Sequence, residues 1–259
     1  MSNALAVNWV GYKTLVRKEI SRILRIWIQT LVPPVITMTL YFVIFGNLIG
    51  SRIGEMGGYS YMQYIAPGLI MMSVINSSYG NVVSSFFGSK FGNYIEEVIV
   101  APLSNITVLL GFITGGLVRG LCVGLIVTCV ALFFTDIEVQ HPWVTLSVVV
   151  LTSVVFSMAG FINAIYAKNF EGISVIPTFV LTPLTYLGGV FYSISMLPEF
   201  WQNVSKANPI MYMVNGFRYG FLGESDVGIG TAYAIIFAFV IVLGVFCVHL
   251  LNKGTGIRS

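Results

Sequence analysis

LTPLTYLGGVFYSISMLPEFWQNVSKANPIMYMVNGFR, residues 181–218, begins as a membrane helix and then breaks without leaving an apolar environment. Pro183, the Gly188-Gly189 pair, Pro198 and Pro209 interrupt the helical pattern, because proline removes a backbone donor and glycine loosens the chain. Glu199, Lys206 and Arg218 are too frequent for a segment crossing hydrocarbon, yet Phe191, Tyr192, Phe200, Trp201, Met211 and Phe217 are too apolar for a water-exposed loop. A segment with both properties dips into a membrane and returns, which is tolerated only where protein or a water-filled cavity satisfies the broken backbone. Such a cavity points to transport.

The rest of the chain supports a membrane setting. Hydrophobic residues make up 56% of the 259 and charged residues 9%, with a mean hydropathy of +0.88, against roughly 25% charged in a soluble domain. At about 20 residues per crossing, the chain has room for six helices and short connections, and none for a motor or catalytic domain of its own. Six apolar runs stand out at 27–49, 62–87, 108–134, 143–167, 173–190 and 230–251. The expected fold class is therefore all-α, a polytopic protein of six transmembrane helices forming one permease domain.

Assigning the loops alternately puts Lys13, Arg17, Lys18, Arg22, Arg25, Lys90, Lys168, Lys253 and Arg258 on one side and Arg52, Lys206 and Arg218 on the other. By the positive-inside rule both termini face the cytoplasm. The first run is longer than a signal-peptide core, contains Pro33-Pro34 and lacks a small-residue cleavage site, so it is expected to persist as a span. Before it, Tyr12, Val16, Ile20, Ile23 and Trp27 recur at helical spacing opposite basic residues, which reads as an amphipathic interface helix over 8–26. A plain basic anchor would place the same cations there.

Within the spans, Ser73, Ser77, Asn81, Ser84 and Ser85, with Gly80 and Gly88, gather mostly along one side of the second run, as candidates for a packing, dimer or pathway face. The third run carries Gly111, Gly115, Gly116, Gly120 and Gly124 at small-xxx-small spacing, with Arg119 among them. A buried cation is expensive in hydrocarbon, so Arg119 either snorkels, contacts backbone carbonyls or faces a polar pathway. Between the second and third runs, residues 89–104 have room for a short cytoplasmic helix with Tyr94, Ile95, Val98 and Ile99 on one face and Glu96 and Glu97 on another, stopped by Pro102.

Several chemistries lack sequence support. No G-x-x-x-x-G-K-[ST] phosphate loop, H-E-x-x-H or G-x-S-x-G motif occurs. Cys122, Cys129 and Cys247 sit in apolar runs without CxxC spacing and read as packing residues, and His141 and His249 stand alone. The acidic residues fall outside the runs or at their edges, so a carrier or channel driven by ion gradients, the alternative from another class, lacks the buried carboxylate it would use. The energy source must be a partner.

Leu181, Leu184, Leu187, Gly188, Val190, Leu197, Pro198, then Pro209-Ile210, Tyr212 and Arg218 resemble the signature of type-2 ABC transporter permeases. The basic amphipathic start, VPP in the first span, APGLIMMS at 66–73 and EEVIVAPLS at 96–104 are also similar to their counterparts. The resemblance implies an ATP-driven exporter of the bacterial inner membrane, with a second copy of the permease in the bilayer and two copies of a separate ATPase subunit. ATP and Mg would belong to that partner, with no cofactor, metal or catalytic residue in this chain and no nucleic-acid partner. It implies ATPase coupling at Asn93, Tyr94, Glu96 and Glu97, and at Arg17, Lys18 and Arg22 of the N-terminal helix. Residues 193–224 would form a re-entrant outer gate, framed by Gly188, Gly189, Pro198, Pro209, Tyr212 and Arg218.

Overall fold

The computed structural model describes residues 2–256. Arg258, placed above with the cytoplasmic cations, and the side chain of Ile99 lie outside the described residues. The protein is all-α apart from a two-residue hairpin, β1 (Glu55–Met56) paired antiparallel with β2 (Tyr59–Ser60).

The chain opens with α1 (Ser2–Arg25) and α2 (Trp27–Tyr41), joined at Ile26, and α2 continues through a π-helical stretch at Phe42–Ile49 into the single turn of α3 (Gly50–Ile53). Pro33 and Pro34 lie inside α2. Proline leaves carbonyls of the preceding turn without a backbone donor. Just before that turn the Thr30 hydroxyl donates to the carbonyls of Ile26 and Trp27.

After the hairpin, α4 (Tyr61–Phe91) starts on a capping box, in which the Ser60 hydroxyl accepts from the Gln63 amide while the Gln63 side chain accepts from the Ser60 amide. The short α5 (Ile95–Val100) follows, then α6 (Asn105–Ala131), capped by Ser104, and α7 (Pro142–Tyr166). α4, α6 and α7 form the core, with the Phe86 ring of α4 tilted against Phe161 of α7 at 4.4 Å and edge-on to Phe112 of α6 at 5.2 Å between centroids. Their glycines permit this closeness: a Cβ at Gly160 would lie 2.6 Å from the Tyr79 carbonyl oxygen, and one at Gly116 would lie 3.0 Å from that of Ser78.

The remainder is the broken part of the chain. α8 (Phe170–Ile176) runs through a π turn (Pro177–Leu181) into α9 (Thr182–Tyr186). A 3-10 turn at Ile194–Met196, α10 (Glu199–Lys206) and α11 (Pro209–Leu222) come next, before the long α12 (Ile229–Lys253). α11 inserts among α4, α7 and α12.

Among the described residues four helices have the length and apolarity to cross a membrane, Trp27–Gly46, Asn105–Ala131, Pro142–Tyr166 and Ile229–Lys253. These match four of the six expected runs. The other two differ for physical reasons. α4 has 31 residues, length enough to cross, but Ser, Asn and Gly dilute its hydropathy. The fifth run comes as consecutive helical pieces of seven, five and five residues, short of a usual span.

Candidate functional site

Two polar sites sit at opposite ends of α4. From Tyr64 at one end to Ser84 near the other is 20 residues, about 30 Å of helix, the thickness of a bilayer core.

At the first end, Arg218 is fully buried. Its Nη2 donates to the Gly189 carbonyl at 2.6 Å and its Nη1 to Asn215 Oδ1 at 3.3 Å, and Asp226 lies 3.9 Å away. The guanidinium also stacks 4.1 Å above the Tyr64 ring. Asp226 in turn accepts from Ser193 at 2.6 Å and from the Ile194 amide at 3.1 Å. Of the acids near enough in sequence to pair with Arg218, the structure selects Asp226. One buried guanidinium thus ties α4, the 187–193 turn, α11 and the 223–228 loop together.

The other signature residues shape the same corner. Gly189 adopts φ +73°, open to glycine without strain. Gly68 of α4 lies against Val190, whose carbonyl oxygen would be 2.5 Å from a Cβ there. Gly188 abuts Ile210. Pro198 precedes the first turn of α10 and Pro209 opens α11, where a missing donor costs nothing. Asn208 caps α11 at the Ile210 amide and donates to the Leu184 carbonyl at 2.5 Å, and Tyr212 donates to the Lys206 carbonyl at 2.8 Å. These residues hold backbone. Beside them opens a cavity of about 900 Å³ whose wall includes Glu55, Glu224, Asp226, Ser193 and Tyr219.

At the other end, α1 runs beside the first half of α6 in the same direction. Leu15 faces Gly111, Glu19 faces Gly115, and the Tyr12 and Thr114 hydroxyls are 3.0 Å apart. The stripe of α1 that packs into the chain is a different one from the apolar face expected toward the membrane. Leu15, Glu19 and Ile23 are buried, Val16 and Ile20 are half-buried, and Trp27 is 52% exposed.

Glu19, only 1% exposed, is the group that hydropathy missed. Its Oε1 accepts from Ser85 at 2.5 Å and its Oε2 pairs with Arg22 at 3.3 Å. Arg22 also donates to the Asn81 carbonyl at 3.0 Å, to Asn81 Oδ1 at 2.8 Å and to Ser84 at 3.3 Å, and Lys18 donates to Ser89 at 3.3 Å. A carboxylate three residues before an arginine on a helix was the available signal. Lys18 and Arg22, expected at the coupling contact, both donate to α4; Lys18 is exposed, as is Arg17, and Arg22 keeps a quarter of its side chain exposed.

Asn81 is fully buried by this contact, and Ser73 and Ser77 are buried too, Ser73 donating to the Leu69 carbonyl at 3.0 Å. Part of the expected pathway or dimer face is thus turned into the body of the chain. The open strip of α4 carries another part of it, where Asn76 and Ser84 are exposed and a Cβ at Gly80 or Gly88 would meet nothing within 4 Å among the described residues. Arg119 stands one turn beyond Gly115 on α6, and its Nε is buried without an acceptor among the described residues.

α5 completes this end. Asn93, at φ +59°, reverses the chain after α4; Tyr94, Glu96 and Glu97 are exposed, and Ile95 is buried. A cleft of about 420 Å³ runs between α1, α4 and α5.

The family model of the ABC-2 type transporter matches residues 11–222, which include Glu19, Arg22 and Arg218 and end before Asp226. The chain belongs to the ABC-2 type transporter family. It is 57% identical over 252 residues to the inner membrane transport permease YadH of Escherichia coli strain K12, covering 97% of this chain and 98% of that protein. It is also 21% identical over 198 residues, 76% of each chain, to Nodulation protein J of Rhizobium meliloti strain 1021. The chain is accordingly a membrane permease of an ABC transporter, a multi-pass protein of the inner membrane. Membership of this family associates it with an ABC ATPase.

Proposed function

We propose that the protein is the membrane-spanning subunit of an ATP-driven exporter, working as a dimer above two separately encoded ATPase subunits that bind ATP and Mg. The observation that carries this reading is α5, a six-residue helix set against the end of α4 by buried Ile95, with Tyr94, Glu96 and Glu97 left exposed. Such a helix can receive a partner on its free face and pass displacement directly into α4. Asn93, Tyr94, Glu96, Glu97 and Arg17 form the contact. Lys18 and Arg22 belong to the same contact and also bond to α4, which would link the contact to that helix.

In this arrangement the chain crosses the bilayer six times, through α2, α4, α6, α7, the 170–186 stretch and α12. Both termini face the cytoplasm, and α10 and α11 form the re-entrant outer gate. The 170–186 stretch, at 1.5 Å per residue, spans about 25 Å and crosses where the bilayer thins or side chains snorkel. Copurification tests the reading. The tagged permease, coexpressed with its ABC ATPase, should retain that subunit through gel filtration; a permease that elutes alone and transports without nucleotide would be a stand-alone carrier.

A further inference from the structure

Glu19 is the only buried carboxylate among the described residues, and arginines approach it from two helices. On its own helix Arg22 holds Oε2 at 3.3 Å, and the same guanidinium donates to the Asn81 carbonyl and to Asn81 Oδ1 on α4. With Ser85 donating to Oε1, these contacts tie α1 to α4.

Arg119 approaches from α6. Glu19 packs on Gly115, where its Oε2 would lie 3.0 Å from a Cβ. Arg119 follows Gly115 by one turn of α6, which puts both on one face of the helix with about 5–6 Å between Cβ positions. Side chains on a helix lean toward its N-terminus, so Arg119 leans over the turn on which Glu19 rests. The ion pairs among the described residues are nevertheless Arg22 with Glu19 and Arg218 with Asp226, and Arg119 belongs to neither.

This junction of α1, α4 and α6 is rich in unfilled donors. Arg22 Nε, Asn81 Nδ2 and Arg119 Nε are all buried without an acceptor among the described residues. A buried donor without an acceptor costs stability, and a cation within a crossing helix costs more. Folded proteins leave few such groups, and a contact with two arrangements leaves its spare partner unfilled in each. Exchanging Arg22 for Arg119 on Glu19 swaps one guanidinium for another, so the ion pair is kept and the two arrangements lie close in energy. Arg22 keeps a quarter of its side chain exposed and has water to turn to on release.

We infer that Glu19 is a shared latch. Arg22 holds it in the described arrangement, tying α1 to α4, and Arg119 holds it in a second, in which α1 stays on α6 and α4 is free to move. Displacement of α4 by α5 as the trigger rests on the exporter reading above; the exchange itself does not.

Ser89 of α4 is buried where Lys18 of α1 donates to it, so it is shielded while α1 stays on α4. In the purified permease lacking Cys122, Cys129 and Cys247, the rate at which N-ethylmaleimide alkylates Ser89→Cys therefore measures how often α1 leaves α4. Arg119→Met takes away the second holder and should slow that alkylation by at least about threefold, whereas Asn81→Ala loosens the first and should speed it by a similar factor. Unchanged labelling in Arg119→Met would overturn the proposal. Faster labelling would overturn it too, by marking Arg119 as a packing residue whose loss loosens the chain. Should Arg119→Met fail to fold, Arg119→Gln, which keeps a donor and loses the charge, should slow alkylation in the same way, and an unchanged or faster rate there would overturn the proposal. No ATPase is present in this assay, so a failed copurification would remove the exporter reading and leave the latch standing.

Discussion

At the residue scale, two arginines bonded to buried partners are held by different logic. Arg218 is enclosed on all sides and bonded to backbone, so it acts as a structural cross-tie; Arg218→Ala would leave the Gly189 carbonyl without this donor and Asp226 without its cation. The expected cost is about 3 kcal/mol or more, seen as a lower midpoint of thermal unfolding in detergent. Arg218→Lys should recover little of it, since one ammonium cannot reach Gly189, Asn215 and Tyr64 together. Arg22 keeps a quarter of its side chain exposed, so Glu19→Ala should cost less, roughly 2 kcal/mol, with Glu19→Gln milder because the amide still reaches Ser85. If Glu19→Ala melts with the wild type, the carboxylate is not the brace between α1 and α4. Arg218 was legible as a polar residue in an apolar segment. Glu19 was not, because hydropathy scores a charge in a basic amphipathic stretch as surface, and only the glycine at position 115 of α6 makes room for it inside.

At the scale of elements, the runs were legible and their faces were not. The third, fourth and sixth runs end within a few residues of α6, α7 and α12, since a long apolar stretch in lipid has no alternative to helix. The broken course of 181–218 was equally visible, because proline and glycine act locally. Which side of α4 faces inward was not, because small polar residues occupy both sides and either could be packed. Two glycines on α4 separate the sides experimentally. Gly68→Ala should lower thermal stability markedly, its methyl meeting the Val190 backbone. Gly80→Ala, opening on free space, should leave the chain's stability unchanged or raise it by up to about 1 kcal/mol through helix propensity. The opposite order would exchange the buried and open faces of α4.

At the scale of the whole molecule, the charge asymmetry behind the proposed orientation also separates the chain's two sites. In a cysteine-free background, Thr14→Cys in α1 should react with a membrane-impermeant maleimide only after the cells are opened, whereas Glu224→Cys should react in intact cells. Labelling of Thr14→Cys from outside would invert the protein in the membrane. The lack of a phosphate loop and the shortage of carboxylates within the apolar runs are legible in the residues alone and point to an external energy source. The proposed contact surface was legible in part, as a short helix with Glu96 and Glu97 on one face; the burial of Ile95, which leaves those carboxylates exposed, depends on how α5 packs. That surface is tested most directly by ATP hydrolysis in nanodiscs containing the permease and its ATPase, with and without Glu96→Arg and Glu97→Arg. The expected result is that wild-type permease alters the hydrolysis rate of the ATPase and the reversed-charge permease, still folded and inserted, does not. An unchanged permease-dependent rate in the variant would contradict coupling through α5.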